Sequence, residues 1–360
     1  MLLVATGEGK TAAHGREDSM TYLAMRHDFR APAFGPASVS EIYSAALEQY
    51  DFADRHCFDA AVISEHHGVD DGWMPAPLSI AGVVLGRTRR IMVTVSAAIV
   101  PLHDPVRLAE QIAVLHLAAG DRLSVIAGAG YREEEFEMAG VDKRRRGKLL
   151  EEYVGVMLAA WTGEPFEYRG RTIVVTPVPE TRPMLLMGGG TEVAARRAAR
   201  LGLPLFPMHD DPILTEAYED EASKLGVEGG FVVTPSGPTF VHVTDDPERT
   251  WSQIAPYLLY EAQTYASFQP AGQHSNPLVQ ADTVDDLKRS PQILVGTPDD
   301  IVAASAATGH GGAFVFHPLA GGLPPDLAWE SLELFVAKVL PRISVPAADD
   351  PDGIAPGAAS

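Results

Sequence analysis

Short apolar runs alternate with stretches of helical period along most of this chain. Residues 21–25, 59–63, 90–97, 122–127, 183–187, 203–206, 239–243 and 311–316 are compact runs dominated by aliphatic and β-branched side chains. Runs of that length between helical patterns read as buried strands. The intervening stretches repeat their apolar residues near 3.6. A helix capped by Ser40 and running to about Phe58 sets Ile42, Ala45, Ala46, Tyr50 and Ala53 on one face. Further helices are predicted over 75–87, 106–119, 145–161, 192–201, 212–225, 248–267 and 326–340. Pro105 is suited to the first turn of its helix. Residues 166–176 alternate like a small hairpin outside the main sheet.

Alternating strands and helices imply parallel strands. Eight such units predict an α/β fold, a closed (β/α)8 TIM barrel with insertions. An open doubly wound sheet is the alternative. It would be favoured by an early Gly-x-Gly-x-x-Gly, and Gly128-Ala129-Gly130 lacks the third glycine at the right spacing. The polar, Gly-rich residues 1–19 read as a disordered leader and 20–344 as a single domain. An irregular insertion lies at about 269–288, and 345–360 is a disordered Pro/Ala/Asp-rich tail.

One strand ends on unusual chemistry. The run 59–63 finishes in Ser64-Glu65-His66-His67. Desolvating a carboxylate and two imidazoles is costly unless they are paired or used. At the C-terminal end of a barrel strand such residues belong to a site; an exposed, capped strand end is the plainer reading. Other strand ends bring Ser96 and Ala97, then Gly128, Gly130, Tyr131 and Arg132, then Gly188, Gly189, Gly190 and Thr191. Small residues there let a flat ring system approach the backbone. Taken alone, Gly-Gly-Gly-Thr at a helix start is a turn with Thr191 as N-cap; with a glycine-lined floor one strand away, its N–H groups and hydroxyl suit a phosphate.

Charge and composition narrow the chemistry. With 28 Lys+Arg against 48 Asp+Glu the formal charge is −20, which argues against nucleic acid and anionic membrane as partners. No apolar run approaches the ~20 residues of a membrane helix. The single cysteine, Cys57, excludes an internal disulfide and fits a reducing, cytoplasmic setting. Adjacent strand histidines point to opposite faces, and no His-x-x-x-His assists, so no metal site is expected. No Gly-x-Ser-x-Gly elbow is present. Acid–base work by a histidine remains. The run Arg132 to Glu135 and the cluster Lys143 to Arg146 read as solvated helix ends, with Arg132 set apart because it follows the glycines. Tyr257, Tyr260, Tyr265 and Phe268 could wall a channel or pack in the core.

Taken together, several pieces resemble the bacterial luciferase-like superfamily of flavin- and deazaflavin-dependent oxidoreductases. They are Ser-Glu-His-His at 64–67, Val-Pro-Leu-His-Asp-Pro-Val-Arg-Leu-Ala-Glu-Gln at 100–111 and Gly-Ala-Gly-Tyr-Arg-Glu-Glu-Glu-Phe at 128–136. Ala-Trp-Thr-Gly-Glu-Pro-Phe at 160–166, Gly-Gly-Gly-Thr at 188–191 and Gly-Thr-Pro-Asp-Asp-Ile at 296–301 complete the set. The resemblance implies a barrel binding reduced FMN, or alternatively coenzyme F420, at its C-terminal face. His66 matches the catalytic histidine, with Glu65 and His67 beside it, and Glu65 is expected to orient His66. Gly190 and Thr191 match the phosphate loop, and a non-proline cis peptide is expected near Ser96-Ala97. The implied activity is monooxygenation of a small organic substrate with O2, with a flavin reductase supplying reduced flavin and a homodimer as the assembly. Hydride transfer with F420 and non-catalytic flavin binding are the alternatives. One departure stands out: where the luciferase subunit places an arginine against the flavin phosphate, this chain has Ala129, which leaves Arg132, Arg196 or backbone amides for that role.

Overall fold

The computed structural model describes residues 21–207, 210–227, 230–233, 236–268, 281–308, 312–343 and 345. The expected leader, the tail beyond 345 and positions 269–280 of the expected insertion lie outside them.

Seven parallel strands form one sheet in the order β11-β1-β2-β3-β4-β7-β8. They are β1 (Tyr22–His27), β2 (Ala60–Ile63), β3 (Met92–Ile99), β4 (Leu123–Gly128), β7 (Met184–Gly188), β8 (Leu205–Phe206) and β11 (Ala313–Phe316). Two strands missing from this order, β5 (Phe166–Tyr168) and β6 (Arg171–Ile173), pair antiparallel as the hairpin expected from the sequence. The other two, β9 (Phe240–Val243) and β10 (Ile293–Gly296), form a separate parallel pair.

The expectation of a closed eight-stranded barrel is therefore met only in part. The continuous ladder is an open, half-barrel sheet, and β10 is a strand that the sequence pattern did not reveal. Its four residues carry no β-branched run long enough to stand out. Irregular backbone touches both sheet edges: Leu205 N donates to Phe231 O at 3.0 Å, and Ala313 N donates to Ser236 O at 3.0 Å.

Helices cover the sheet. The first is α1 (Val39–Arg55), which buries Ile42, Ala45, Ala46, Tyr50 and Ala53. Its cap is Ser38 rather than Ser40, because only Ser38 has an acidic residue three positions on. The Ser38 hydroxyl accepts from Glu41 N, and the Glu41 carboxylate accepts from Ser38 N at 2.8 Å. After α2 (Pro77–Arg87) comes α3 (Pro105–Ala119), which opens on Asp104 with Pro105 in its first turn. The short α4 (Glu133–Ala139) follows β4, and α5 (Arg146–Ala160) comes before the hairpin. Next are α6 (Glu192–Arg200), α7 (Pro212–Leu225) and the long α8 (Pro247–Phe268). The short α9 (Val284–Arg289) gives part of the expected irregular insertion helical structure, with Thr283 and Asp286 capping reciprocally. Then come α10 (Pro298–Thr308) and α11 (Pro325–Leu334). No described helix is long and apolar enough to cross a membrane.

Parallel strands run in one sense, so their C-terminal ends share one face. That face receives Asp28 after β1, Ser64 to His67 after β2, the end of β3, Gly128 at the end of β4, Gly188 at the end of β7 and His317 after β11. Within β3 the ladder slips: Ser96 pairs with Ile126 and Ala98 with Ala127, leaving Ala97 as a bulge. The Ser96–Ala97 peptide is cis, as the resemblance implied.

Candidate active site

Ser64 to His67 leave β2 alternating between sides, and the four residues find different partners. Glu65 is buried and turns toward β3. Its carboxylate accepts from Ile99 N at 2.6 Å, from His103 Nε2 at 2.7 Å and from His67 Nε2 at 2.9 Å. Burial would raise its pKa, but these donors hold the carboxyl down at about 2. The same pairing pushes the His103 imidazole upward against the effect of its burial.

His66 lies on the other side and does not touch Glu65. The expectation that Glu65 orients His66 fails on strand geometry, since successive side chains point oppositely. The orienting group is Glu135, which is 1% exposed. Its Oε1 lies 3.0 Å from His66 Nδ1 and also accepts from His67 N at 3.1 Å. This overturns the reading of 132–135 as a solvated helix end. On α4, Glu135 and Phe136 form the buried face while Glu133 and Glu134 are exposed. The adjacent Phe136 was the signal available. His103 was likewise seen only as a motif member, because its partner is 38 residues away.

Aromatic rings surround His66. Trp73 lies 4.3 Å away between centroids, Tyr131 5.9 Å, Tyr265 6.0 Å and Phe268 6.2 Å. The Trp73 indole N–H donates to Ser64 Oγ at 3.1 Å, and His66 N donates to Met74 O at 2.9 Å. Tyr265 and Phe268 thus wall the site, as one of the two sequence readings had it. Burial pushes the Tyr265 phenol up to about 12.

Beside this cluster the strand ends are bare. A Cβ on Gly128 would sit 2.9 Å from the Ala97 Cβ, and one on Gly188 would sit 3.0 Å from Ile126 Cγ2 and 3.9 Å from the Ala97 Cβ. Ala97, Gly128 and Gly188 therefore make a floor across β3, β4 and β7 that has no room for larger side chains. Gly130 is required for another reason: its φ is +70°, and a Cβ there would meet Ile99 Cγ2 at 2.6 Å. Gly189 packs on α6, where a Cβ would come within 2.4 Å of the Ala194 Cβ. Gly190 and Thr191 are exposed, and Thr191 Oγ1 caps α6 by accepting from Ala194 N at 3.2 Å. The first turn of α6 leaves N–H groups without intrahelical acceptors, a ready anion site.

Neither arginine foreseen for a phosphate is uncommitted. Arg132 donates to His67 O, lies 3.4 Å from Glu134 Oε2 and stacks on Phe268 at 4.4 Å. Arg196 pairs with Glu192 at 2.8 Å.

Behind the aromatic wall is a second polar cluster that sequence reading missed altogether. Asp28, Glu261 and His317 come from three different elements and are all buried. They are the one grouping with metal-ligand chemistry among the described residues. His317 Nε2 faces Asp28 Oδ2 and its Nδ1 faces Glu261 Oε2, each at 3.5 Å. The imidazole thus lies between the two carboxylates. Burial acts against the Asp28 charge, but His317, Arg30 and Arg26 hold its pKa well below the usual range.

A family model described as luciferase-like monooxygenase matches residues 27–313. Protein y4vJ of Sinorhizobium fredii is 24% identical over 215 residues, 58% of this chain and 59% of that protein. The chain thus spans about three-fifths of that relative's length. Among solved structures, the monooxygenase RslO1 of Streptomyces bottropensis superposes with a TM-score of 0.71 at 20% identity, covering 89% of this chain and 99% of that one. The oxygenating constituent of 3,6-diketocamphane monooxygenase from Pseudomonas putida, in complex with FMN, gives 0.66 at 20% identity over 91% and 99%. An F420-dependent secondary alcohol dehydrogenase, in complex with an F420-acetone adduct, gives 0.64 at 15% identity over 89% and 98%.

Proposed function

The chain belongs to the luciferase-like monooxygenase family, and on that premise we propose that it is a flavin-dependent oxidoreductase, a monooxygenase using reduced FMN and O2 on a small organic substrate, with His66 as its acid–base group. The observation that carries this reading is His66 itself. It stands at a strand end with Nδ1 held by the buried Glu135, aromatic rings around it and a side-chain-free floor alongside.

The chain's residues fit such a cofactor. Ala97, Gly128 and Gly188 would let a flat ring system lie against backbone, while Gly189, Gly190, Thr191 and the first turn of α6 would hold a phosphate. The bound cofactor supplies the redox chemistry; the protein positions it and excludes water. A carboxylate at Nδ1 favours the tautomer with the proton on that nitrogen, which leaves Nε2 to take up or release a proton. Glu65, His67 and His103 hold the ends of β2 and β3 in register beneath it. Trp73, Tyr265 and Phe268 give the substrate space an apolar wall. A flavin reductase as supplier of reduced flavin and a homodimeric, cytoplasmic enzyme belong to the same proposal.

Hydride transfer with coenzyme F420 is the second reading. What favours it is Ala129, together with the engagement of Arg132 and Arg196 by protein groups. The likeness to an F420-dependent alcohol dehydrogenase is in keeping with it. In that case His66 would handle the proton that accompanies the hydride. A flavin-binding protein without catalysis is the third.

Anaerobic titration with FMN, reduced FMN and F420, read by fluorescence, separates them. Preference for reduced FMN, with oxygen uptake on admitting O2 and substrate, supports the monooxygenase. Preference for F420 replaces it with hydride transfer, and binding of none removes the proposal. The His66→Gln variant should bind cofactor like the parent but turn over at least ~100-fold more slowly; undiminished turnover would end the acid–base role.

A further inference from the structure

The loop after β1 carries an arginine that the reading above does not use. Arg30 is fully buried. Its guanidinium lies 4.2 Å from the Trp73 ring centroid and 4.6 Å from that of Tyr260, so the plane has an aromatic neighbour on each of two elements. Nε donates to Asp71 Oδ2 at 2.6 Å and Nη2 to Thr264 Oγ1 at 3.0 Å. Asp71 Oδ2 also accepts from the Tyr260 hydroxyl at 2.9 Å, and Asp71 O accepts from Ala31 N at 2.8 Å. A planar, permanently charged fork can satisfy this set, whereas an ammonium cannot both stack and fork.

The elements joined are the loop after β1, the 64–74 loop after β2, which carries His66 and Trp73, and α8, which carries Tyr265 and Phe268 to the imidazole. Trp73 is the link. One contact of its indole is Arg30, and another is the His66 ring at 4.3 Å. On α8, Tyr260 and Thr264 are fastened to Arg30 one turn before Tyr265 and Phe268 reach the imidazole. Glu135 restrains His66 only from the Nδ1 side.

We propose that Arg30 is a positioning residue for His66, paired with Asp71 and stacked between Trp73 and Tyr260 so that the indole and α8 are held against the imidazole. The inference rests on the reading of His66 as the acid–base group, so its test is read on geometry rather than turnover.

The NOE between the Trp73 indole and the His66 ring is measured in the full-length protein, with His66→Gln and Trp73→Phe assigning the signals. Arg30→Met is expected to lose that NOE and shift the His66 ring resonances while circular dichroism shows the fold intact. Arg30→Lys, which keeps the charge beside Asp71 but not the stacked plane, should restore it in part. Arg122→Met serves as the control, since Arg122 binds Thr88, Ile91 and Leu85 at the opposite end of the strands. It should leave the NOE unchanged. If Arg30→Met does not fold, Tyr260→Leu decides, because it removes one stacking face and leaves the ion pair. A folded Arg30→Met or Tyr260→Leu protein with an unchanged NOE overturns the proposal. Failure of the acid–base reading looks different: His66→Gln would turn over normally with the NOE pattern of the Arg30 variants as expected.

Discussion

The surroundings of His66 and the loop from Gly188 to Thr191 are built on opposite plans. Around His66 nearly everything is side chain: Glu65 takes three donors, Glu135 two, and four rings enclose the imidazole. Along the loop nearly everything is backbone, and the side chain that contributes, Thr191, caps a helix. A group that moves protons must be fixed in orientation and tautomer, which takes partners converging from distant parts of the chain. A phosphate needs only N–H groups and a helix end, which three glycines and a threonine supply locally. The first plan ties function to fold stability, while the second separates them.

Replacing Glu65 should expose that difference most strongly. Glu65→Gln removes the charge from a buried acceptor of three hydrogen bonds, so urea unfolding should show a loss of about 3 kcal/mol. A loss below about 1 kcal/mol would mean that the carboxylate is not the keystone of the strand ends.

The loop should respond in binding instead. Thr191→Val keeps the shape and removes the cap, at a cost of about 1 kcal/mol in stability. If the hydroxyl also serves a phosphate, FMN should bind roughly 10-fold more weakly, with riboflavin, which lacks the phosphate, unaffected. Equal weakening of both would place the phosphate elsewhere.

The smallest effect is in pH. His103 has a raised pKa, so its bond to Glu65 adds stability that is fully present below the ordinary histidine range and is lost as pH rises through the raised value. Glu65, held at about 2, adds stability above the ordinary glutamate range that is lost as pH falls toward that value. Urea midpoints measured across pH should therefore fall at both ends. His103→Gln should flatten the alkaline limb and leave the Gly188–Thr191 loop's affinity for FMN untouched. An unchanged alkaline limb would show that the stability gain comes from other groups.

Much of this architecture was legible in the chain. Seven of the eight strands read from apolar runs lie in the parallel sheet, and the eighth, residues 239–243, became β9 beside it. The longer helices and the hairpin fell where the pattern put them, while α4, α9 and α10 had no predicted span and the cis peptide at Ser96–Ala97 was implied by the resemblance alone. The floor was legible as well, because a glycine at a strand end is a local sign of close approach. What misled was treating charge as exposure. Glu135 stands in an acidic run and is buried; Asp28, Arg30, Glu261 and His317 are ionisable residues in the interior and left no pattern at all.

The sequence by itself determined the alternation of elements, the parallel sense of the strands and therefore the face on which their ends gather. These follow from periodicity and chain connection, which are properties of neighbours along the chain. Only the tertiary structure decided which carboxylate serves which histidine, where the sheet stays open, and that Arg30 ties two loops and α8 together beside one imidazole. The His103–Glu65, His66–Glu135 and Arg30–Thr264 pairings join residues 38, 69 and 234 positions apart. Their energies depend on burial and geometry, which a linear pattern does not carry.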